Sequence, residues 1–370
     1  MKNYIREIEI LRAFAILAVV IYHVTYFIFY VPNYSPLFIY IFFIFNLNGY
    51  GVPLFIFVSG FVLSLRYNHN NKDFSLLQYY KKRFLTIIPP YLIAAIVYLP
   101  YNMIKYPNYN ILTMFFDPTS VASHFWFIGL IIAYYLIYPL IRVIIHKFRS
   151  RLSIVLLTFL IIQFIFTTIA GFFKLPNFLE VIGYFFLGMY VHENYDKIKK
   201  IIENNKIILF SGFIFIISII LQTYSDYTYL TRRIDTTIFI FFNHFYFICS
   251  KSIFFIFLFV FLFGLARFIN QKSHFIRNML INLGKYSFGI FLYHYLFLLI
   301  SYDVFLILGF NREYYSFYIL YFLTTFLPSI VLTYLINLLP FHKYVIGTIR
   351  EDQKQYSLMI IENDLQFSEI

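Results

Sequence analysis

Apolar segments long enough to enter a bilayer alternate with short polar segments along most of this chain. A membrane-spanning helix needs about 20 mostly apolar residues. Ten stretches fit a spanning pattern; they are residues 8–30, 37–65, 84–100, 125–145, 152–173, 178–191, 206–222, 245–267, 283–308 and 316–338. The pattern predicts an all-α integral membrane protein with about ten transmembrane helices. Because 236–267 is too long for one straight span, residues 236–244 are interpreted as a re-entrant or outer-surface piece.

The basic residues are distributed unevenly between the two sides of this predicted membrane topology. With the N-terminus in the cytoplasm, 23 of the 29 Lys and Arg residues fall on the inner side and 5 on the outer side. Cytoplasmic loops are enriched in Lys and Arg, so both the N- and C-termini are predicted to be cytoplasmic. The same bias explains the net charge of +12. No nucleic-acid partner is therefore predicted from that charge.

The composition excludes several classes of protein. The chain is 61% hydrophobic and only 12% charged, whereas soluble domains are about a quarter charged. The single cysteine, Cys249, excludes a disulfide within the chain and a cysteine-based metal site. The predicted spans contain few acidic residues, which argues against an acid-lined ion pathway and against metal-assisted hydrolysis. We predict no metal and no bound cofactor.

The first predicted span contains two ionisable residues, Arg12 and His23, within the sequence LRAFAILAVVIYHV. Eleven helical residues turn through about 1100° and rise about 16 Å, so both side chains lie on one helix face. An ionisable residue inside a span is costly and indicates function by default. The alternative is that Arg12 extends to the interface and that His23 is a packed histidine hydrogen-bonded to a neighbour.

Two further segments combine unusual residues with a plain structural alternative. Residues 49–67, GYGVPLFIFVSGFVLSLRY, contain small residues such as Ser59, which permit close approach of a ligand or simply of another helix. Residues 79–91, YYKKRFLTIIPPY, place Lys82 and Arg83 at the cytoplasmic start of a span. These cations could bind an anionic ligand, or contact lipid phosphate as ordinary inner-side residues.

Two later segments carry isolated polar or aromatic residues. The sequence SHFWFIGLIIAYYLIYPLI contains His124 and Trp126, the only tryptophan, at the predicted outer interface. A tryptophan at that depth is typical of an aromatic belt. The sequence GKYSFGIFLYHYLF places His294 in the middle of the membrane. A single histidine there is more often structural than functional.

Six segments, in this order, resemble the membrane-bound acyltransferase family called acyltransferase 3: LRAFAILAVVIYHV, GVPLFIFVSGF, KKRFLTIIPPY, FWFIGLIIAYYLIYPLI, YFFLGMYV and YSFGIFLYH. The resemblance implies a transmembrane acyltransferase domain over residues 1–345, a short cytoplasmic tail over 346–370 and a multi-pass location in the plasma membrane. One position departs from the family pattern. The family often has a second Arg three residues after the one matching Arg83, and this chain has Thr86 there.

The resemblance further implies transfer of an acyl group, most often acetyl, from cytoplasmic acyl-CoA to a hydroxyl group outside the membrane. Acyl-CoA (acetyl-CoA) is then a co-substrate, a cell-surface polysaccharide or glycolipid is the acceptor, and membrane lipid is a further partner. His23 would act as the general base or would itself carry the acyl group. The site residues implied besides His23 are Arg12, Lys82 and Arg83 for the CoA phosphates, and Ser59, Trp126 and His294 for the substrate channel.

Two functions of another class stay open at this stage. One is a non-catalytic exporter that moves exopolysaccharide across the membrane, and the other is a membrane subunit associated with a synthase. An exporter should contain a wide polar cavity between helices and needs no CoA site. The alignment of Arg12 with His23 favours the enzyme, whereas Thr86 leaves room for the exporter.

Overall fold

The computed structural model describes residues 5–32, 35–67, 74–112, 117–173, 178–232, 254–272 and 274–347. In this part of the chain the helices are α1 Arg6–Thr25, α2 Pro36–Asn48, α3 Gly51–Arg66, α4 Leu76–Lys105, α5 Trp126–Lys147, α6 Leu152–Phe173, α7 Ile182–Glu193, α8 Tyr195–Ile202, α9 Asn205–Arg232, α10 Phe255–Lys272, α11 His274–Ile307, α12 Tyr315–Leu338 and α13 His342–Ile346. Nine helical segments among the described residues are long and apolar enough to cross a membrane. The predicted all-α, multi-pass membrane fold is thus confirmed.

The sixth predicted span, residues 178–191, is helical but is not among the helices long enough to cross a membrane. It forms α7, which has 12 residues, nine of them buried within the protein. At 1.5 Å per residue this helix is about 18 Å long, whereas the hydrocarbon core is about 30 Å thick. A helix that is surrounded by protein has no lipid thickness to match. The apolar sequence of α7 therefore reflects burial within the protein. Of the ten predicted spans, nine correspond to a full-length helical segment among the described residues, and the span that becomes α7 does not.

Several predictions fall on residues that the structure does not describe. They are the re-entrant piece 236–244, the first part of the span 245–267, Cys249 and most of the tail 346–370. The cytoplasmic placement of both termini also stays a prediction.

Helices α3 and α7 cross in direct backbone contact. A Cβ atom added to Gly60 would overlap the carbonyl oxygen of Phe185, and one added to Gly188 would overlap the carbonyl oxygen of Phe57. Membrane helices associate closely where small residues allow their backbones to meet. The helix-packing interpretation of the small residues in segment 49–67 is confirmed for Gly60.

Helix α1 lies at the centre of the bundle, where it packs against α2, α3, α10, α11 and α12. Two glycines bring neighbouring helices close to it. Gly51 of α3 lies against Val19, and Gly284 of α11 lies against the carbonyl oxygen of Glu9. This central position encloses α1 on most sides and so surrounds His23 with protein.

The second predicted span, residues 37–65, is broken into two helices. Helix α2 ends at Asn48 and α3 begins at Gly51. Pro53 lacks a backbone N–H, and its ring in a continuous helix would clash with the carbonyl of Gly49 four residues earlier. Non-helical backbone at membrane depth is tolerated where it is covered by protein or lines a cavity. The break is therefore expected to lie against protein or beside a ligand-binding cavity.

Two prolines inside helices each leave a backbone carbonyl without its usual N–H donor, and a hydroxyl group of a neighbouring helix donates to that carbonyl instead. Pro139 removes the N–H that would bond to the carbonyl of Tyr135, and the hydroxyl of Tyr79 donates to that carbonyl at 2.9 Å. Pro328 likewise frees the carbonyl of Thr324, to which Ser301 Oγ donates at 3.3 Å. The proline sites thereby tie α4 to α5 and α11 to α12.

Candidate functional site

A cavity of about 270 Å³ lies where the broken second span meets α1. Its lining includes His23 of α1, Trp126 at the start of α5 and the whole break, residues 46–53. Two residues proposed from the sequence, His23 and Trp126, are thus brought to one space. The half-buried Ser59 of α3 and the fully buried His294 of α11 are not among the described residues that line it.

The cavity lining combines aromatic rings and amides without a formal charge. Among the described residues that line it, none is Asp, Glu, Lys or Arg. Besides His23, the aromatic and amide side chains are those of Tyr22, Tyr50, Trp126, Tyr184, Phe215, Phe255, Asn46, Asn48 and Gln222. Ligand sites of this kind use apolar faces for contact and a few polar groups for orientation.

Three helices begin at this cavity. The lining contains Tyr50, the residue before α3, Trp126, the first residue of α5, and Val181, the residue before α7. Backbone N–H groups in the first turn of a helix have no intrahelical partner, and that end carries a partial positive charge. The end of α2, at Asn48, lies in the same lining and carries the opposite partial charge, so the cavity presents backbone dipoles of both signs.

The ring of His23 is oriented by the backbone of its own helix. Its Nδ1 lies 2.7 Å from the carbonyl oxygen of Val19, which can only accept a hydrogen bond. Nδ1 therefore carries the proton, a tautomer assigned from this hydrogen bond, and the neutral ring keeps its lone pair on Nε2. The nitrogen left for a ligand in the cavity is Nε2.

His23 belongs to a cluster of three histidines and one tyrosine. The ring centroid of His294 lies 5.2 Å from that of His23, and the ring centroid of His124 lies 6.2 Å from it. Tyr295 lies 5.4 Å from His23 and stacks on His124 at 4.9 Å. His294 is 0% exposed. It therefore contacts His23 from behind and is not placed on the cavity wall that the sequence predicted for it.

His124 is a site residue to which the sequence analysis assigned no role. It is 2% exposed, and its Nε2–H donates to the carbonyl oxygen of Phe291 at 3.1 Å. Its Nδ1 is buried without a hydrogen-bond partner. A signal was present in the sequence, because His23, His124 and His294 were each predicted near mid-membrane or toward its outer side. Considered one at a time, they did not indicate a cluster.

On the predicted cytoplasmic side, Arg83 lies among three tyrosine rings. Its guanidinium carbon is 5.4 Å from the ring centroid of Tyr67, 5.7 Å from Tyr79 and 5.1 Å from Tyr135. Such cation–π contacts hold the guanidinium in place. Two of its nitrogens, Nε and one terminal nitrogen, are buried without a hydrogen-bond partner. The side chain is fixed, yet these two donors have no acceptor among the residues that the structure describes.

The neighbours of Arg83 are engaged differently. Lys82 is half-buried, and its backbone carbonyl accepts a hydrogen bond from Thr86 Oγ1 at 2.7 Å. Thr86 thus turns back onto its own helix. The backbone of Gly347, just after α13, lies against the carbonyl oxygen of Thr86. At Thr86, where the family often has a second Arg, helix α4 of this chain packs beside the end of α13.

Arg12 is paired with an acid that the sequence analysis did not consider. Its guanidinium contacts both carboxylate oxygens of Glu9 at 3.1 Å, and Glu9 is only 6% exposed. The i, i+3 spacing on one helix is the signal that predicts this pair. Arg12 lies on α1, whereas Lys82 and Arg83 lie on α4, and α11 packs against both helices.

The chain is similar to known acyltransferase sequences along most of its length. Residues 5–338 match a family model described as an acyltransferase domain. A protein of the Acidianus two-tailed virus named "Putative acetyltransferase ORF330" is 28% identical over 251 residues, which cover 63% of this chain and 71% of that relative. No solved structure matches the chain.

Proposed function

From the premise that this chain belongs to the acyltransferase 3 family, we propose that it is a membrane-bound O-acyltransferase of the plasma membrane. It transfers an acyl group, most often acetyl, from cytoplasmic acyl-CoA to a hydroxyl group of an extracytoplasmic polysaccharide or glycolipid. The observation that carries the proposal is the orientation of His23. Its Nδ1 is bonded to Val19, and Nε2 is left for a ligand in a cavity suited to a hydroxylated ring.

In the proposed reaction His23 Nε2 removes the proton from the acceptor hydroxyl as its oxygen attacks the thioester carbonyl. The carbon–sulfur bond of the resulting tetrahedral intermediate then breaks. The proton held by His23 passes to the leaving sulfur, so that the products are the O-acyl ester and CoA thiol. General base catalysis of this kind contributes about 10²- to 10⁴-fold to a rate.

The oxygen of the tetrahedral intermediate carries a negative charge that needs stabilisation. We infer that backbone N–H groups at the starts of α5 and α7, on the cavity wall, supply it. Fixed dipoles in a site with little water stabilise a developing oxyanion without reorganising. This supports acyl transfer over a pore for polysaccharide, since an exporter has no oxyanion to stabilise.

The donor is proposed to bind from the cytoplasm, with its phosphates near Arg12, Lys82 and Arg83. Arg83 supports this best, because its buried nitrogens lack a partner. Guanidinium groups suit phosphates, to which they donate two parallel hydrogen bonds. The pantetheine arm of CoA would then extend along the membrane normal from these cations toward His23. Ser59 stays a proposal for the path of the acyl group, and Trp126 stays proposed near its end.

We expect Arg83→Gln to raise the KM for acyl-CoA by about 10- to 100-fold, because a hydrogen bond to a charged group is worth about 1.5–3 kcal/mol. The kcat at saturating acyl-CoA should change little. The measurement is acyl-CoA saturation of CoA release in membrane vesicles that are open to the donor.

The matched control for Arg83→Gln is Arg312→Gln. Arg312 also lies over two tyrosine rings, Tyr30 and Tyr302, each at 5.2 Å, but it is on the opposite predicted side of the membrane. The control should leave acyl-CoA saturation as in the unmodified protein. Equal KM values for the Arg83 variant and the unmodified protein would remove Arg83 from the donor site.

If His23 carries the acyl group, the acyl group forms a bond to Nε2 and CoA thiol leaves before the acceptor arrives. We expect this to be visible with radiolabelled acetyl-CoA in the absence of acceptor, as label on the protein that hydroxylamine removes. His23→Gln should abolish that label. If transfer is direct, no label accumulates while acceptor-dependent ester formation proceeds normally.

The proposed function as a whole is tested with purified protein in liposomes. Acetyl-CoA is supplied on one side and an oligosaccharide acceptor on the other. Acetyl ester on the oligosaccharide, with one CoA thiol released for each ester, is the expected result. Movement of the oligosaccharide into the liposomes without release of CoA would instead identify the exporter.

A further inference from the structure

The buried His294 has a protonation pattern that its surroundings determine. Its Nδ1 lies 2.9 Å from the carbonyl oxygen of Phe291 and 3.1 Å from that of Ile290. Carbonyl oxygens only accept hydrogen bonds, so Nδ1 carries the proton. The lone pair of the neutral ring is therefore on Nε2.

That lone pair is directed at His23. Nε2 of His294 lies 3.4 Å from Nδ1 of His23, the nitrogen that the carbonyl of Val19 requires to be protonated. The single proton on His23 Nδ1 is thus shared in a three-centre hydrogen bond, with the Val19 oxygen at 2.7 Å as the nearer acceptor and His294 Nε2 at 3.4 Å as the second one. The bond to His294 is long, as catalytic hydrogen bonds often are before a substrate is bound.

The third histidine supports the same arrangement. His124 donates from Nε2 to the carbonyl oxygen of Phe291, which also accepts from His294. Its ring centroid is 5.0 Å from that of His294. One backbone carbonyl of α11 thus fixes both rings, and together they limit the rotation of His23.

We propose that His294 is a positioning residue for the acyl transfer, an inference that rests on the function proposed above. Its Nε2 accepts the Nδ1–H of His23, which holds the Nε2 lone pair of His23 toward the cavity. When His23 takes a proton from the substrate hydroxyl group, Nε2 of His294 stabilises the positive charge of the His23 ring. His294 itself touches neither donor nor acceptor, since it is fully buried behind His23.

Two substitutions separate this role from a purely structural one. In His294→Gln the side-chain oxygen reaches the place of Nε2 and still accepts from His23. In His294→Asn the amide reaches only the place of Nδ1, so it keeps the bond to the α11 backbone and loses the bond to His23. We expect the Asn variant to lower kcat by about 10- to 100-fold with the KM for acyl-CoA unchanged, as loss of a supporting hydrogen bond does at other sites. The Gln variant should retain most of the kcat.

The opposite order, with Asn more active than Gln, would show that the backbone bond is what matters and would overturn the proposal. A loss that appears in KM, or equally in both variants, would also overturn it. The control is His342→Gln, which replaces another buried histidine whose Nδ1 donates to a backbone carbonyl. It should leave kcat unchanged.

A second readout does not require activity. Protonated and unprotonated imidazole nitrogens have well-separated ¹⁵N chemical shifts, and the His23 signals are those lost in His23→Gln. The unmodified protein and His294→Gln should give one set of His23 signals with Nδ1 protonated, and His294→Asn should give broadened or multiple sets. Identical His23 signals in all three would overturn the proposal. If no ester forms but these signals follow the expected order, the proposed function fails while the contact between the histidines stands.

Discussion

Replacing His23 by Gln is expected to lower the rate of acyl transfer by about 10²- to 10⁴-fold. Glutamine can fill much of the space of the imidazole and place its amide where Nε2 lies, but it cannot take a proton from a hydroxyl group. The loss should therefore appear in kcat, with the protein present in the membrane at its normal level. The measurements are CoA thiol release and ester-linked acetate on the acceptor.

The control for this experiment is a histidine of similar chemistry away from the cavity. His342 is 2% exposed, and its Nδ1 donates to the carbonyl oxygen of Leu339 at 2.9 Å. His342→Gln should leave the rate within about two-fold of the unmodified protein, as expected of a residue outside the reaction. Ester formation by His23→Gln at the unmodified rate would exclude His23 as both base and acyl carrier.

Gly60→Val is expected to have the largest effect on stability. The new side chain would overlap the backbone of α7 at Phe185, and a backbone atom cannot move aside as a flexible side chain can. Overpacking typically costs about 1–3 kcal/mol, occasionally more, which corresponds to a melting temperature lower by roughly 1–4 °C in a chain of this length. Thermal unfolding in detergent is the measurement. Gly188→Val should behave in the same way, because it acts on the same crossing.

Gly129→Val is the matched control, since a Cβ atom at Gly129 meets nothing within 4 Å. It makes the same chemical change in a membrane helix without a clash. Its melting temperature should remain close to that of the unmodified protein. If Gly60→Val and Gly129→Val unfold at the same temperature, the close contact of α3 with α7 does not stabilise the fold.

Much of the fold was predictable because hydropathy measures the transfer of a segment out of water. That property locates apolar segments such as α1 and α12 within a few residues. It does not distinguish a helix that faces lipid from one that is enclosed by protein, so it counted α7 among the membrane spans. The break at residues 49–50 was also missed, because Pro53 acts through backbone geometry within a continuous apolar run.

The candidate site was predictable only where a single residue is of a type that is rare in its surroundings. His23 was identified because an ionisable group in a span is costly. The tyrosine rings around Arg83 come from α4, α5 and the end of α3, and no local pattern links residues so far apart in the chain. Glu9 was overlooked although the spacing to Arg12 was visible. The carboxylate of Glu9 neutralises the charge of Arg12, which the sequence alone had presented as an isolated cation.

The shortness of α7 has a consequence for the membrane as an electrical insulator. At about 18 Å, α7 cannot by itself cross a hydrocarbon core of about 30 Å, so insulation there depends on the helices packed beside it, such as the 22-residue α6. Gly60 and Gly188 bring the backbones of α3 and α7 into direct contact. A crossing packed this closely leaves no space for water or ions, so these glycines would contribute to insulation as well as to stability.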